Sequence, residues 1–497
     1  MSGKNIFLSF APISKSFFIA LSKRIIQDNK DIKIHGIFFS HLSELNEFKK
    51  LFPNNYGKLF FFPDLENKCF KSYTEGIDHK FEPGFFGKFI TADRRIGTAY
   101  NDLSIFKQSK TRLLCKKNNL IQKNYFSSLY IFINEFLETT KIDYAIFNCV
   151  ASSFSLMFSE ICKKKSIQFI TNRHSRIRNL YIFDYQNKTN KLILENTIKD
   201  FDNQTLNIEK YMSKANDIHN SYHNEFTQPE YSIFQNSNKK NLLFLILQFL
   251  YRLVRNIIKI RLNYVSFYNA YIDLGSYCRS IIQKKYIDKI DITNIKYIYY
   301  PLHVNPEAST MVEAPYMTDQ LSILESISKS IPSNYLLVVK EHLPQLGKRK
   351  NEFYKKLKTF PNIKLIDPYT NPKDILLNSS LVITINGTVA MESIILNKPT
   401  VVLSEADFMV IGEGFIHNDN LLNLPDSIKL AFKLKSASKN SILKYICAVI
   451  HNSIQLDTGY LWGHFDSYDQ NKKAIGLNEF YKRLKSKTLK SKKIYEK

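Results

Sequence analysis

Two blocks of this sequence alternate short β-rich apolar runs with segments of helical spacing, and the stretch between them breaks the pattern. That alternation restricts the fold more than any other feature, because strands separated by helices at this spacing form βαβ units and a mainly parallel sheet. In the first block, "NIFLSF" (Asn5–Phe10) and "IKIHGIFF" (Ile32–Phe39) predict strands, with "SFFIALSKRII" (Ser16–Ile26) as the helix between them. "YAIFN" (Tyr144–Asn148) and "IQFIT" (Ile167–Thr171) predict two more, around a helix from Ser152 to about Lys164. The second block is clearer. It holds strands in "IKYIYY" (from Ile295), "YLLVVK" (Tyr335–Lys340), "IKLI" (Ile363–Ile366), "LVITI" (Leu381–Ile385) and "TVVL" (Thr400–Leu403). Helices are predicted over Asp319–Ile331 and about Val389–Leu396.

The expected fold class is therefore α/β, with two Rossmann-like lobes facing across a cleft and a helical connecting segment. Residues 1–200 form the first lobe, 201–291 the connector, 292–440 the second lobe, and 441–497 C-terminal helices with a basic tail. A chain of 497 residues is long enough for more than one core. Its 44% hydrophobic and 23% charged content excludes global disorder.

Formal charge is +25, from 70 Lys+Arg against 45 Asp+Glu. Such an excess favours polyanionic partners, namely nucleic acid, anionic lipid or phosphorylated substrates; a Lys-, Asn- and Ile-rich composition throughout is the alternative source. The connector is polar as far as Lys240 and then reads "NLLFLILQFLYRLVRNIIKIRL". Its charge-free run ends at Arg252, short of the about 18–20 residues that a membrane span needs. Beyond it Leu253, Val254, Ile257 and Ile258 share one helical face, with Arg252, Arg255, Lys259 and Arg261 elsewhere. Such a helix either lies in a membrane interface or links the lobes while packed on the protein. The six cysteines show no C-x-x-C pair or metal-ligand spacing, so buried free thiols in a reducing compartment are expected. The N-terminus reads as a strand rather than a signal peptide, and a cytoplasmic location follows as the expectation.

Ligands of open α/β sheets bind beyond the carboxyl ends of the strands. Three strand ends in the second block carry unusual polar residues. "PLHVNPEAST" brings His303, Glu307, Ser309 and Thr310; "VVKEHLPQLGKR" brings Lys340, Glu341 and His342, then Gly347 and Arg349; "ITINGTVAMES" brings Asn386, Gly387, Thr388 and Glu392. A phosphorylated ligand gives each part a role. Gly387 permits close backbone approach, Thr388 supplies a hydroxyl, and free N–H groups at that helix start favour anions. Lys340 or His342 would neutralise phosphate oxygens, and the Glu392 carboxylate would accept hydrogen bonds from ribose hydroxyls. Read singly, Asn-Gly-Thr is also a plain turn and cap, and His303 a structural histidine; the convergence of three segments favours a site.

The series "PLHVNPEAST", "VKEHLPQLGKR", "NGTVAMESIILNKP" resembles the capsular polysaccharide biosynthesis family of glycosyltransferases, which includes bacterial transferases that use CMP-activated Kdo. The likeness runs over about Tyr297–Ser404. It departs from the family pattern at Leu343, which separates His342 from Pro344, at Ser393, where Ala is usual, and at Asn397, where Gly is common. The resemblance implies a GT-B fold, with the nucleotide-sugar in the second lobe and the acceptor mostly in the first. It implies that His342, Thr388 and Glu392 contact the donor nucleotide and that His303 and Glu307 line the cleft.

In the first lobe, "TADRRIGTAYND" places Asp93 beside Arg94 and Arg95, and "NRHSRIRN" clusters Arg173, His174, Arg176 and Arg178. Guanidinium forks suit acidic sugars, phosphates or a polyanionic acceptor; surface charge and an Asp–Arg ion pair are the plainer readings. Catalytic candidates are Asp93, His303 and Glu307. Lys340, His342, Asn386, Gly387, Thr388 and Glu392 are expected to bind the donor, and Arg94, Arg173 and Arg176 the acceptor or a phosphate. Transfer needs either a base (inversion) or a carboxylate nucleophile (retention), and both stay open. No Asp-x-Asp motif occurs in the second lobe, so no metal and no cofactor is expected. The expected partners are a nucleotide-sugar, a polysaccharide or glycolipid acceptor, and an anionic membrane surface on the inner face of the plasma membrane, reached through the basic helix and the tail "YKRLKSKTLKSKKIYEK". A sugar-nucleotide epimerase or hydrolase is the alternative enzyme, and a basic nucleic-acid-binding protein the alternative of another class. No nucleic acid is expected, because no recognisable motif interleaves basic and aromatic residues.

Overall fold

The computed structural model describes residues 5–71, 84–93, 119–177, 179–185, 190–224, 264–461 and 465–491, with isolated positions at 246–247, 250–251, 254 and 463. The chain divides into two compact units, one of Met1–Phe89, Asn119–Asp200 and Ala448–Lys497, the other of Ile90–Asn118 and Phe201–Cys447. Each is a Rossmann-like α/β unit, so the α/β class expected from the alternation is met.

Strands are numbered in chain order. The first unit holds β1 (Asn5–Phe10), β2 (Lys33–Phe38), β3 (Tyr56–Phe61), β4 (Tyr144–Phe147), β5 (Gln168–His174), β6 (Leu180–Tyr185) and β13 (Ser453–Gln455). They lie in the order β13-β6-β5-β4-β1-β2-β3. The five central and edge strands β1 to β5 run parallel, while β6 and β13 are antiparallel additions. The parallel strands β1 and β4 are buried nearly throughout, which is why they read as continuous apolar runs rather than alternating ones. Aromatic side chains fill this core. Phe10 stacks on Phe38 at 4.3 Å and Phe7 on Phe158 at 4.5 Å, contacts that suit offset aromatic pairing. Strand β5 runs three residues past its expected end, because its hairpin with β6 pairs Arg173 with Ile182 and His174 with Tyr181. Strands β3, β6 and β13 carry no pattern strong enough to predict, and neither does the strand Phe415–His417 of the second unit; that strand and β13 have only three residues each.

The C-terminal segment returns to the first unit. The helix Gln470–Ser491 buries Phe480, Tyr481 and Leu484, and it packs on the helix Lys15–Asp28. Tyr481 donates to Asp28 Oδ2 at 2.8 Å, and Lys485 Nζ sits 2.6 Å from the same oxygen. As far as Ser491 the basic tail is therefore a helix, with part of its charge paired internally. Cys69, Cys162 and Cys447 are buried as expected, whereas Cys278 is exposed; it lies on the helix Tyr264–Gln283 near the exposed Ile281 and Ile282. Cys115 lies outside the described residues.

The second unit is wholly parallel. Its strands are β7 (Tyr297–Pro301), β8 (Leu336–Lys340), β9 (Ile363–Ile366), β10 (Leu381–Thr384), β11 (Thr400–Val402) and β12 (Phe415–His417). Their order is β12-β11-β10-β7-β8-β9, so the winding direction reverses between β7 and β10. That reversal is the topological switch point, the place where such sheets open a crevice at their carboxyl edge. Ile298, Tyr300, Leu337, Val339, Leu381 and Ile383 pack one face, and Tyr297, Tyr299, Val338 and Val382 the other.

The helix Lys191–Asp202 ends at the start of the connecting segment, which holds the helices Glu209–Asn224 and Tyr264–Gln283. Of its amphipathic portion, Ile246, Leu247, Leu250, Tyr251 and Val254 are helical and exposed. Leu253, Ile257, Ile258, Arg252, Arg255, Lys259 and Arg261 lie outside the described residues. Among the described residues no helix is long and apolar enough to cross a membrane.

Candidate functional site

The loops that leave β7, β8 and β10 are cross-linked by buried and half-buried hydrogen bonds. After β7, the Leu302 N–H bonds Lys340 O at 2.9 Å. The chain then turns, and a single amide takes over both main-chain groups of His303. Gln320 Oε1 accepts from His303 N at 2.7 Å, and Gln320 Nε2 donates to His303 O at 3.0 Å. The imidazole reaches across to the β10 loop, where Nε2 lies 2.6 Å from Asn386 O. A carbonyl only accepts, so Nε2 carries the proton. Asn386 Nδ2 in turn donates to Ser309 O at 3.1 Å and to Glu313 Oε2 at 3.3 Å. Gln345 Nε2, beyond β8, donates to Asn305 O at 2.8 Å.

Below the β8 loop sits a buried ion pair. Glu341 is 2% exposed and Arg349 0%. Arg349 Nε donates to Glu341 Oε2 at 2.7 Å, as does the Tyr354 hydroxyl, while Glu341 Oε1 accepts from His342 N at 2.7 Å. The second arm of the guanidinium donates to His303 O at 2.5 Å. Its planar fork thus joins the β7 and β8 loops, and its face covers Phe353 at 4.9 Å. Burial pushes the Glu341 carboxyl up, opposed by its hydrogen bonds from Tyr354 and His342 N and by Lys340.

The electrostatics follow from the same crowding. Burial, followed by the Lys340, His303 and Lys348 charges, lowers His342 to about 3. At neutral pH that ring is an uncharged imidazole that can still donate one N–H. Burial also lowers Lys340 to about 8, against the opposing pull of Glu341 and Asp367. Lys340 is therefore mostly protonated at pH 7 but lies close to its titration.

At β10, Gly387 takes φ +118 and ψ 180 just ahead of the helix Thr388–Ile395, a conformation open to glycine and strained for other residues. A Cβ there would meet only His303 Nε2, at an ordinary 3.6 Å. Backbone conformation, not space, requires the glycine. Burial raises Glu392 to about 7, and a hydrogen bond from the Thr388 hydroxyl one turn earlier opposes this. Buried phenols of Tyr222 and Tyr299 feel the Glu392 charge, which places Tyr222, in the helix Glu209–Asn224, near this end of the site.

Two departures from the family pattern have local causes. Ser393 donates to Ala390 O at 2.7 Å and pairs with the Thr400 hydroxyl at 2.7 Å, so its hydroxyl is satisfied where Ala is usual. Asn397 sits at φ +60, the left-handed region where glycine is favoured and Asn is the next best choice. At Leu343, the segment Leu343–Gln345 forms a short 3-10 turn directly after His342.

Of the expected residues, His303, Lys340, His342, Asn386, Gly387, Thr388 and Glu392 all belong to this switch-point assembly. Glu307 is exposed and accepts from Ser309 Oγ at 3.1 Å, just before the helix Ala308–Met311. Asp93 is 1% exposed and follows the helix Phe85–Ala92. Arg173 lies within β5, and Arg176, at φ +67, in the turn to β6; both belong to the first unit. Arg94, Arg95 and Arg178 lie outside the described residues. Gln320 was not foreseen. Its signal was present, since Gln320, Ile323, Leu324 and Ile327 form the buried stripe of one helix, and a lone amide in an apolar stripe marks a buried polar partner.

The family described as "Capsule polysaccharide biosynthesis protein" matches residues 188–422. That stretch holds all three motif segments, so the resemblance read from them is to the family that matches. No curated protein matches the chain. Among solved structures, the chain is similar to a UDP-GlcNAc 2-epimerase from Methanocaldococcus jannaschii at 15% identity, over 90% of this chain and 98% of that one, with a TM-score of 0.26. It is similar to KpsC, a beta Kdo 2,7 transferase from Thermosulfurimonas dismutans, at 11% identity over 66% and 82%, TM-score 0.31. A glycosyltransferase from Rickettsia africae ESF-5 aligns at 10% identity over 99% and 100%, TM-score 0.27. Identities and scores this low add nothing to what the two sheets establish.

Proposed function

We propose that the protein is a glycosyltransferase of surface-polysaccharide synthesis whose second unit binds a nucleotide-sugar at the ends of β7, β8 and β10. The observation that carries the reading is the convergence at the switch point of the β7, β8 and β10 loops, tied by the His303–Asn386, Arg349–His303 and Gln345–Asn305 hydrogen bonds, around an anion-favouring helix start with the Glu392 carboxyl one helical turn away. Lys340 and His342, on the β8 loop, are the proposed phosphate partners. Phosphate oxygens would lie against Gly387 and Thr388, where free backbone N–H groups and the helix dipole favour negative charge. Ribose hydroxyls would reach Glu392. The family resemblance favours a CMP-sugar such as CMP-Kdo as donor.

In the reaction the bond from the anomeric carbon to the donor phosphate oxygen breaks, and the nucleotide leaves with the electron pair. The acceptor hydroxyl forms the new glycosidic bond, and its proton passes to a base. Positive groups fixed around the departing phosphate lower the barrier most. Asp93 and Glu307 are the carboxylates proposed for base or nucleophile, and Arg173 and Arg176 for an anionic acceptor. No metal enters this scheme.

The acceptor is proposed to be lipid-linked and met at an anionic membrane surface. In support, Ile246, Leu247, Leu250, Tyr251 and Val254 are all exposed at one-face helical spacing in a strongly basic chain. Retention of the protein on anionic vesicles at physiological salt is expected; a protein wholly in the supernatant contradicts that part. The activity itself is tested by incubating the protein with CMP-Kdo and a glycolipid acceptor and following both products. Sugar on the acceptor is the predicted result. Nucleotide release at the same rate without acceptor identifies a hydrolase or epimerase instead.

A further inference from the structure

The proposed nucleotide contacts use neither Arg349 nor Glu341, although both are charged and lie inside the second unit. A buried ion pair is rarely the best way to stabilise a core, because apolar residues of similar volume serve as well. What distinguishes this pair is where the second arm of the guanidinium goes. Arg349 donates to His303 O, and Gln320 holds both main-chain groups of the same residue. With its backbone fixed, His303 directs Nε2–H onto Asn386 O at 2.6 Å. The Asn386–Gly387 peptide is not among the cis bonds of the described chain. In a planar trans peptide the C=O and N–H point in opposite directions. Holding the Asn386 carbonyl toward the imidazole therefore turns the Gly387 N–H the other way. Thr384 Oγ1 also donates to Asn386 O, at 3.2 Å, so His303 supplies the shorter of two holds. Gly387, at φ +118, has the conformational freedom to let that peptide tilt when the shorter one is weakened.

We propose that Arg349, anchored by Glu341, is a positioning residue for anion binding: through the His303 backbone and ring it sets the Asn386–Gly387 peptide and so aims the Gly387 N–H at the ligand's phosphate. The inference rests on the nucleotide reading above for its ligand, but not for the geometry it asserts. Two mechanical links lie between the guanidinium and the peptide, and Gln320 keeps the loop in place when the first is weakened. Arg349→Lys keeps a positive charge beside Glu341 but loses the fork that reaches two acceptors at once.

The test uses the full chain and two readouts. In protein labelled with 15N at its 15 glycines, the Gly387 amide resonance, assigned by its loss in Gly387→Ala, should shift in Arg349→Lys without any ligand present. In titrations, Arg349→Lys should weaken CMP by about tenfold, the effect of one hydrogen bond to a charged group, while cytidine, which has no phosphate, binds as to wild type. Tyr354→Phe removes one donor to Glu341 at 2.7 Å with little change of volume. It should reproduce the pattern at about twofold to threefold, and it carries the test if Arg349→Lys does not fold. An unmoved Gly387 resonance in the folded variant overturns the positioning chain whatever the nucleotide does. Equal loss of CMP and cytidine affinity also overturns it, by showing general loosening. If wild type binds no nucleotide while the Gly387 resonance still moves, the donor reading fails and the positioning geometry stands.

Discussion

The two sheets are built alike, yet their carboxyl edges are treated in opposite ways. In the second unit the switch point between β7 and β10 is lined by polar groups from three loops, held by Gln320, Arg349 and Asn386. In the first unit the corresponding reversal lies between β1 and β4, and the chain's own C-terminal segment packs there. Asn148, directly after β4, donates to Leu461 O at 3.4 Å. Phe17, at the start of the helix after β1, packs edge-on against Tyr460 and Phe465. At the β7–β10 switch point polar groups line the edge, whereas at the β1–β4 switch point aromatic side chains of the C-terminal segment cover it. The same architecture therefore does not decide where chemistry happens. The residues delivered to each edge decide it.

That contrast can be broken first at its strongest point. Arg349→Met leaves the Glu341 carboxylate buried without its guanidinium, and a stability loss of about 3–5 kcal/mol is expected. Thermal unfolding would register it, and a midpoint near wild type would mean the pair is not what ties the loops. Gly387→Ala comes next. Strain at a positive φ costs about 1–3 kcal/mol, and the variant should lose nucleotide binding beyond what its stability loss explains. By contrast Gly463, at φ +102 near Ile13 O in the first unit, should show the stability effect of an Ala substitution with no change in nucleotide affinity.

A pH series sharpens the comparison further. Lys340 lies at about 8 in the free protein, and an anion bound beside it favours the ammonium, raising that value. Phosphate affinity should then be full below pH 8 and fall as pH rises above it, because binding must take up a proton. Lys340→Met should flatten this decline; an unchanged profile would remove Lys340 from the phosphate site. The smallest effect is expected from chelation, where EDTA should leave sugar transfer within about twofold if positive side chains and a helix start supply the stabilisation. Loss of transfer restored by a divalent ion would contradict the metal-free scheme.

Much of this was legible in the sequence, for reasons that can be named. The parallel strands announce themselves because burial on both faces forces continuous apolar runs, as in "YLLVVK" and "LVITI". Gly387 is legible because a glycine at a strand-to-helix turn has few other uses. The edge strands β12 and β13 and the hairpin strand β6 were not, since short or antiparallel pieces take their identity from a partner rather than from their own pattern. The same limit applies to the site. His303 was expected as a catalytic candidate; the hydrogen bond that its ring N–H donates to Asn386 O joins residues 83 apart, and no local spacing encodes it. The order of His342 and Lys340 as proton carriers depends likewise on burial, which lowers both below their usual values.

The proposed function has the carboxyl edge of the second unit bind a nucleotide-sugar. It is tested most directly by thermal unfolding against CMP, CDP, UDP, GDP and their common sugars, since a ligand of the native state raises the midpoint with occupancy. A clear rise is expected with one nucleotide, CMP favoured, that disappears in His342→Ala and in Glu392→Ala but survives changes at the β1–β4 edge such as Asn148→Ala. No rise with any nucleotide, or a rise that the two second-unit variants leave intact, would contradict it.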